Sequence, residues 1–350
     1  MHPVKIGLVG AGVIGKRHID ALGHTPQGEL VAIADPSPAA VDYAASLGVP
    51  IYTSAGEMAA KSGAEAIIIA TPTERHLDDA MACMEAEAHL LIEKPITATV
   101  AEAEQIITYS TQHNLHVLVG HQRRYYPCAH KAKQMIAEGT LGQLIGMTGQ
   151  WNAKKDAPYY EPNWRKDAKA GPVLTNLIHE MDLLRYICGD IVSVSAEVTN
   201  HNQNFDKEDA VAISLRFANQ AVGTFLLSDR TPSPWTWEFG IGESDRFPKS
   251  GRNSIRFLGA DAALEFPNLV LWRHDAALGN PSGGNWGDKI IDTPIVTEFI
   301  DAYRAQCAHL CAVIRGEEDP RITASDATKS LMATLAVMES AKSGQRVNLP

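Results

Sequence analysis

Three glycines, Gly10, Gly12 and Gly15, follow the apolar run Ile6 to Val9 at the spacing Gly-x-Gly-x-x-Gly. A turn of this kind can hold a pyrophosphate. The first glycine permits the bend, the second admits backbone close to the phosphates, and the third lets the next helix pack on the strand. Val13 and Ile14 then open that helix, whose unpaired N–H groups and partial positive charge would face the anion. A second apolar run, 30–34, ends in Asp35, twenty residues beyond Gly15. A carboxylate there can accept hydrogen bonds from both hydroxyls of an adenosine ribose. It would also repel a 2′-phosphate, and Pro36-Ser37-Pro38 offers no arginine to hold one, which favours NAD over NADP.

Two later strand ends carry polar side chains. The run 66–70 enters Thr71-Pro72-Thr73, with His76 one helical turn further on. This loop can flank the nicotinamide ribose or the pyrophosphate, or Thr73 can simply cap the next helix. The run 89–92 ends in Glu93-Lys94-Pro95. Burying an unpaired ammonium is costly, whereas at the ligand edge of a sheet it can stabilise charge developing on a substrate oxygen. Within 171–182, Thr175, Asn176, His179 and Asp182 fall at spacings of three and four, hence on one face of a helix. Leu177, Ile178 and Met181 are left to face the core. Histidine, with an unperturbed pKa near ~6.5, exchanges protons at neutral pH. A single helix histidine is ordinarily structural, so it is the stripe of four polar side chains that points to a site.

The elements that must position these groups change in texture along the chain. Up to about residue 120, strand runs 5–9, 30–34, 66–70, 89–92 and 117–119 alternate with helical stretches 39–47, 76–86 and 98–113. Continuous apolar strands such as Ile67-Ile68-Ile69 belong to a parallel sheet covered on both faces. From about residue 143, runs 144–151, 191–199, 210–217, 221–228, 254–258 and 269–273 predict a mostly antiparallel sheet. A hairpin is expected at Ala218-Asn219-Gln220, one helix at 174–188, and closing helices at 297–314 and 325–343. The expected fold is α/β: an N-terminal Rossmann doubly wound parallel sheet over 1–121, then a C-terminal α+β domain with an open, mostly antiparallel sheet over 122–350. The last helices can pack back on the first domain.

Bulk properties agree with two soluble domains: 350 residues, 45% hydrophobic and 21% charged. A net charge of −10 argues against nucleic acid as the main partner. No apolar run approaches the ~20 residues of a membrane helix, and the N-terminus enters a strand with no visible signal peptide. Five scattered cysteines (Cys83, Cys128, Cys188, Cys307 and Cys311) predict free thiols in a reducing cytoplasm and no metal site. Cys307 and Cys311, four apart, read as core filling.

The glycine turn, Ala70-Thr71-Pro72 with His76, Glu93-Lys94-Pro95, and a glycine-led helix with His179 and Asp182 occur in that order. Together they resemble the glucose–fructose oxidoreductase / inositol dehydrogenase / rhizopine-catabolism (Gfo/Idh/MocA) family of NAD(P)-dependent oxidoreductases. The resemblance covers nearly the whole chain, including the tail 326–347. It implies a Rossmann domain, an open α/β domain whose sheet often forms oligomer contacts, and reversible oxidation of a secondary alcohol or anomeric carbon in a sugar or polyol. By resemblance, Lys94 polarises the reacting oxygen, His179 accepts the proton, and Asp182 orients or hydrogen-bonds near them. The cofactor-binding set is then Gly10, Gly12, Val13, Ile14, Gly15 and Asp35, joined by Thr71, Pro72, His76, Glu93, Lys94 and Gln122. One departure matters. Many members place an aspartate four residues before the histidine, where this chain has Thr175, followed by Asn176. Neither is a carboxylate base, so Asn176 is assigned to substrate hydrogen bonding and the base remains His179, alone or coupled to Lys94.

The clue to substrate is basic. Arg123 and Arg124 follow the last parallel strand, and Lys154, Lys155, Trp164 and Arg165 precede the main helix of the second domain. Arginines grip carboxylates with paired hydrogen bonds. Arg123, Arg165 and Trp164 therefore join Thr175, Asn176 and Asp182 as substrate-binding candidates, and a sugar acid stands beside a sugar or cyclic polyol. Alternatively these charges pair with Asp156, Glu161 and Asp167 on the surface. Tyr159, Tyr160 and Trp164 either stack on a sugar ring or fill an interface. The expectation is an NAD-dependent dehydrogenase of a small sugar, polyol or hydroxy acid, acting in the cytoplasm as a homodimer or homotetramer, without nucleic-acid or membrane partners. Two alternatives stay open. One is an NAD-dependent glycosidase using transient oxidation; the other is a non-catalytic dinucleotide-binding regulator, for which Lys94 and His179 would both be superfluous.

Overall fold

The computed structural model describes residues 2–167, 170–201, 205–275 and 284–350, with Trp164 described by its backbone alone. The chain divides into two compact units, Met1–Tyr125 with Ile300–Leu331 and Tyr126–Phe299 with Met332–Pro350. The segment Ile300–Leu331, from the far end of the sequence, thus belongs with the first unit.

The first unit is built on six parallel strands: β1 (Val4–Val9), β2 (Gly28–Ala34), β3 (Ile51–Tyr52), β4 (Ala66–Ile69), β5 (His89–Ile92) and β6 (Val117–Val119). Their order across the sheet is β3-β2-β1-β4-β5-β6. Between them run α1 (Val13–Gly23), α2 (Pro38–Leu47), α3 (Ala55–Ser62), α4 (His76–Met84) and α5 (Val100–Gln112). Local chemistry sets the helix ends. Thr99 and Glu102 form a reciprocal capping box at the start of α5, and Ser54 caps α3. Helix α2 starts at Pro38 and stops at Gly48, whose φ of 69° a side chain would resist. Every residue of β4 is buried, as its unbroken apolar run requires. The edge strand β3 and helix α3 were not among the expected elements.

Helix α9 (Ala302–Ile314) completes this unit's core. Its Cys307, Leu310, Cys311 and Val313 join Ile6 and Leu8 of β1 and Ile19 and Leu22 of α1 in one buried cluster. Cys307 and Cys311 are therefore apolar filler, and burial pushes the Cys307 thiol up to about 12. The helix begins at Ala302 rather than at the expected residue 297, because Asp301 accepts from the N–H groups of Tyr303 and Arg304 and so caps it there.

The second unit carries a nine-stranded sheet. In chain order its strands are β7 (Leu144–Asn152), β8 (Ile191–Thr199), β9 (Ala210–Phe217), β10 (Val222–Ser228), β11 (Ile255–Gly259), β12 (Ala263–Phe266), β13 (Val270–His274), β14 (Ile290–Pro294) and β15 (Val347–Asn348). Their order is β14-β13-β12-β11-β7-β10-β9-β8-β15, and only the β10–β7 pairing is parallel. Strand β9 alternates buried and exposed residues, the mark of a sheet covered on one face. The β9–β10 hairpin turns at 218–220, with Gln220 at φ 71°. Helix α6 (Pro127–Ala137) precedes the sheet, α7 (Ile178–Cys188) follows β7, α8 (Trp237–Ile241) follows β10, and α10 (Ala324–Ser343) runs from Ile300–Leu331 into the last segment. The expected helix 174–188 is in fact a turn of π-helix, Val173–Leu177, leading into α7. No helix among the described residues is long and apolar enough to cross a membrane.

Candidate active site

Parallel strands present their carboxyl ends along one edge, where ligands bind in such sheets. Gly10 leaves β1 there with φ 91°, and a side chain at this position would meet Ala70 O at 2.8 Å. Gly15 is pressed harder still: a Cβ would stand 1.9 Å from Gly10 O, so α1 can start this close to the turn only on glycine. Around Gly12, by contrast, a Cβ would meet nothing within 4 Å. The turn is thus closed towards the protein and open outward, and no side chain caps the first N–H groups of α1. Val13 and Ile14, at the start of that helix, are 84% and 40% exposed. This cradle fits a dinucleotide pyrophosphate.

Asp35, at the end of β2, accepts the Ala11 N–H on one oxygen and the Ser37 N–H on the other, each at 2.8 Å. Burial raises its pKa, but the hydrogen bonds from Ser37 and Ala11 outweigh this and hold it below the ordinary range. The carboxylate fixes the glycine turn to the β2 loop and, with lone pairs left on each oxygen, can still take ribose hydroxyls.

At the end of β5, Glu93 is buried and its carboxylate accepts from His18 of α1 at 2.8 Å and from the Lys94 N–H at 3.1 Å. Gly120 makes room, since a Cβ there would press on the Glu93 carboxyl at 3.0 Å. Lys94 itself is half-buried. His76 is 1% exposed. Its Nδ1 lies 2.9 Å from Pro95 O and its Nε2 2.9 Å from Thr71 O, so the ring pins the Thr71-Pro72 loop to the Lys94-Pro95 loop. Thr71 donates to Asp79 of α4 at 2.9 Å. Thr73 opens a short 3₁₀ turn and does not cap α4, which begins at His76. Gln122 and Arg123 lie in another 3₁₀ turn, buried, and Arg124 beside them pairs with Asp326.

In the second unit, the π-turn carries Thr175 and Asn176, and α7 carries His179 and Asp182. The Thr175 hydroxyl lies 3.0 Å from both Gly171 O and Asn176 Oδ1. His179 is half-buried and Asp182 buried. Lys155, beyond β7, donates to Asn176 Oδ1 at 3.0 Å, and Arg165 donates to Tyr159 O at 2.9 Å while stacking on the Tyr159 ring. The Trp164 side chain lies outside the described residues.

Sequence reasoning passed over a buried charged cluster behind Lys155. Lys207 and Asp229, both fully buried, pair at 2.7 Å, and Tyr160 donates to the same Asp229 oxygen at 2.8 Å. Glu208 accepts the Val173 N–H at 2.8 Å, so it holds the start of the π-turn, and burial raises its pKa. In the sequence Lys207 and Glu208 sit in a Lys-Glu-Asp run indistinguishable from surface, and Asp229 lies some twenty residues away in Ser228-Asp229-Arg230. The one hint was Gly171, whose missing Cβ would stand 2.1 Å from a Glu208 oxygen.

Residues 4–121 match the model of an oxidoreductase family with an NAD-binding Rossmann fold, and residues 129–265 match a GFO/IDH/MocA C-terminal domain. The rhizopine catabolism protein MocA of Rhizobium meliloti is 25% identical over 343 residues, 96% of this chain and 94% of that protein. The scyllo-inositol 2-dehydrogenase (NAD(+)) of Bacillus subtilis (strain 168) is 26% identical over 356 residues, 99% of this chain and 97% of that one. The WlbA dehydrogenase of Bordetella pertussis, solved with NADH and UDP-GlcNAcA, has a TM-score of 0.79 at 23% identity over 99% of each chain, a likeness of fold.

Proposed function

Because the chain belongs to the glucose–fructose oxidoreductase / inositol dehydrogenase / rhizopine-catabolism family of NAD-binding oxidoreductases, we propose that it oxidises a secondary alcohol of a sugar, cyclic polyol or hydroxy acid with NAD. The observation that carries this reading is the shared sheet edge. The glycine turn, Asp35, the Thr71-Pro72 loop and Lys94 all stand at carboxyl ends of parallel strands.

A bound NAD would supply the hydride acceptor for the alcohol carbon. The chain's own residues do the rest. The Gly10–Gly15 turn and the first N–H groups of α1 hold the pyrophosphate, and Asp35 takes the ribose hydroxyls and repels a 2′-phosphate, which favours NAD over NADP. Lys94, on a loop braced by Glu93 and His76, donates to the substrate oxygen and steadies the charge it gains. His179 accepts the hydroxyl proton. Asn176, Thr175, Asp182, Arg123, Arg165 and Trp164 form the substrate-binding set. Five buried free thiols support a cytoplasmic setting, and the open sheet face of the second unit supports a homodimer or homotetramer.

The test is a panel of inositols, sugars and sugar acids assayed for NADH formation, with NAD and NADP in parallel. Net NADH from a free polyol is expected, with Lys94→Ala and His179→Ala each lowering kcat by roughly 10²- to 10⁴-fold. Release of an aglycone without net NADH would instead favour a glycosidase. Full activity in both variants would overturn the site.

A further inference from the structure

Lys155 is poorly matched to its surroundings. It stands 13% exposed at the end of β7, next to the π-turn face that carries Asn176. A lysine ammonium has three donors, and Lys155 spends one, on Asn176 Oδ1 at 3.0 Å. Asp229, the nearest carboxylate, lies 3.8 Å away, outside hydrogen-bond reach. Its facing oxygen already takes Lys207 at 2.7 Å and Tyr160 at 2.8 Å. The other face of Lys155 rests over the Tyr159 ring at 4.6 Å, which carries Arg165 as well. Among the described residues no acceptor meets the two remaining N–H groups.

Charge makes the same point. Three cations, Lys155, Lys207 and Arg165, gather around two carboxylates, Asp229 and Glu208, and burial moves Glu208 towards its neutral form. Burial first, and then Lys207 and Arg165 against the counter-pull of Asp229 and Glu208, bring the Lys155 ammonium down to about 8. An anion delivered to Lys155 would supply both the missing acceptor and the missing charge. Arg165, beside it, donates to the Tyr159 carbonyl and stacks on the ring of that residue.

We propose that Lys155 is the anion-recognition residue of the substrate site, and that the substrate carries a carboxylate bound by the spare donors of this ammonium beside Asn176. This rests on the dehydrogenase reading and narrows its substrate to a sugar acid or hydroxy acid.

The test sets D-glucuronate against D-glucose and D-gluconate against D-sorbitol, pairs that differ by a carboxylate. Two readouts are taken: NADH formation, and the thermal shift each compound gives the NADH-loaded protein. A preference for the acids is expected. Lys155→Met should raise KM for the acid by roughly tenfold to a hundredfold, with kcat nearly unchanged and the neutral partner's KM moved far less, through the lost hold on Asn176 alone. Lys155→Arg should recover part of the loss. In the wild type, the acid-to-neutral ratio of kcat/KM should fall above pH about 8, where the amine loses its charge, and Lys155→Arg should abolish that fall. Equal effects on acid and neutral partners, or a loss in kcat alone, would overturn the proposal. If no compound yields NADH, the dehydrogenase reading fails, while the thermal shift still decides Lys155. No acid stabilising the wild type above its neutral partner, or equal stabilisation of Lys155→Met, sinks it.

Discussion

Beneath the Lys94 loop, Glu93 accepts from His18 with both side chains shut away from water. Burial alone would raise the carboxyl's pKa, yet the hydrogen bond and charge of His18, the charge of Lys94 and its N–H together hold it below its ordinary value of 4.5. The folded chain therefore binds this proton less readily than the unfolded one. Glu93 stabilises fully above its ordinary value, and that contribution is lost as pH falls towards the folded value. Glu93→Gln should cost about 1–3 kcal/mol at neutral pH and should flatten the fall of Tm between pH 6 and pH 3.5. Parallel curves for variant and wild type would show that the pair carries no pH-linked stability. Asp35 permits a second test at this scale, since its two oxygens serve backbone N–H groups on both sides of the cradle. Asp35→Ala should raise KM for NAD about tenfold or more and KM for NADP clearly less, and an equal rise for both would assign Asp35 to loop structure alone. This much was legible in the sequence, because a glycine spacing and an acid at a strand end are local patterns. The Lys207–Asp229 pair was not, since its partners lie on separate strand ends and only the fold brings them to 2.7 Å.

Whole elements were readable where their pattern was continuous. The apolar runs of β5 and β6 and the alternation of β8 and β9 mark those strands to their ends. The two-residue β3 and β15 offer no period to detect and exist because a neighbour pairs with them, Ile33 with Ile51 and Val194 with Val347. Helix α6 could have been found, since Pro127 opens it and Gly139, at φ 74°, lies just past its end. The π-turn before α7 follows from a long-range cause: Glu208 fills the space over Gly171 and takes the Val173 N–H. Gly171→Ala should therefore displace that carboxylate, destabilise the protein by about 1–3 kcal/mol and lower activity through Thr175 and Asn176. Glu208→Ala removes the obstruction, so the double variant should cost clearly less than the two single costs added. Additive losses, read from denaturant unfolding of all four proteins, would dissociate the glycine from the carboxylate.

On the scale of the molecule, the nine-stranded sheet has one face packed by alternating residues such as Val211, Ile213 and Leu215 and another that bears Val222 at 50% and Leu226 at 46% exposure. Around these lie small or hydroxyl side chains, Thr148, Ala212, Ser214 and Thr224, paired in register across β7, β10 and β9. The face thus has short side chains at its centre, with Glu197 and Arg346 among the charges around it. It is suited to a second copy of itself, because two such sheets can approach closely while the charges pair or stay at the rim. Arg216 and Arg256 lie at its margins, where they can stay hydrated. If the assembly uses this face, sedimentation should give two or four times the 37.9 kDa of the chain. Leu226→Glu would place a carboxylate from each copy near the contact and should shift the protein to a single chain's mass. The same variant should retain NAD binding, since the glycine cradle belongs to the other unit. A wild-type protein already at 37.9 kDa, or a Leu226→Glu variant with unchanged mass, would remove this face from the assembly.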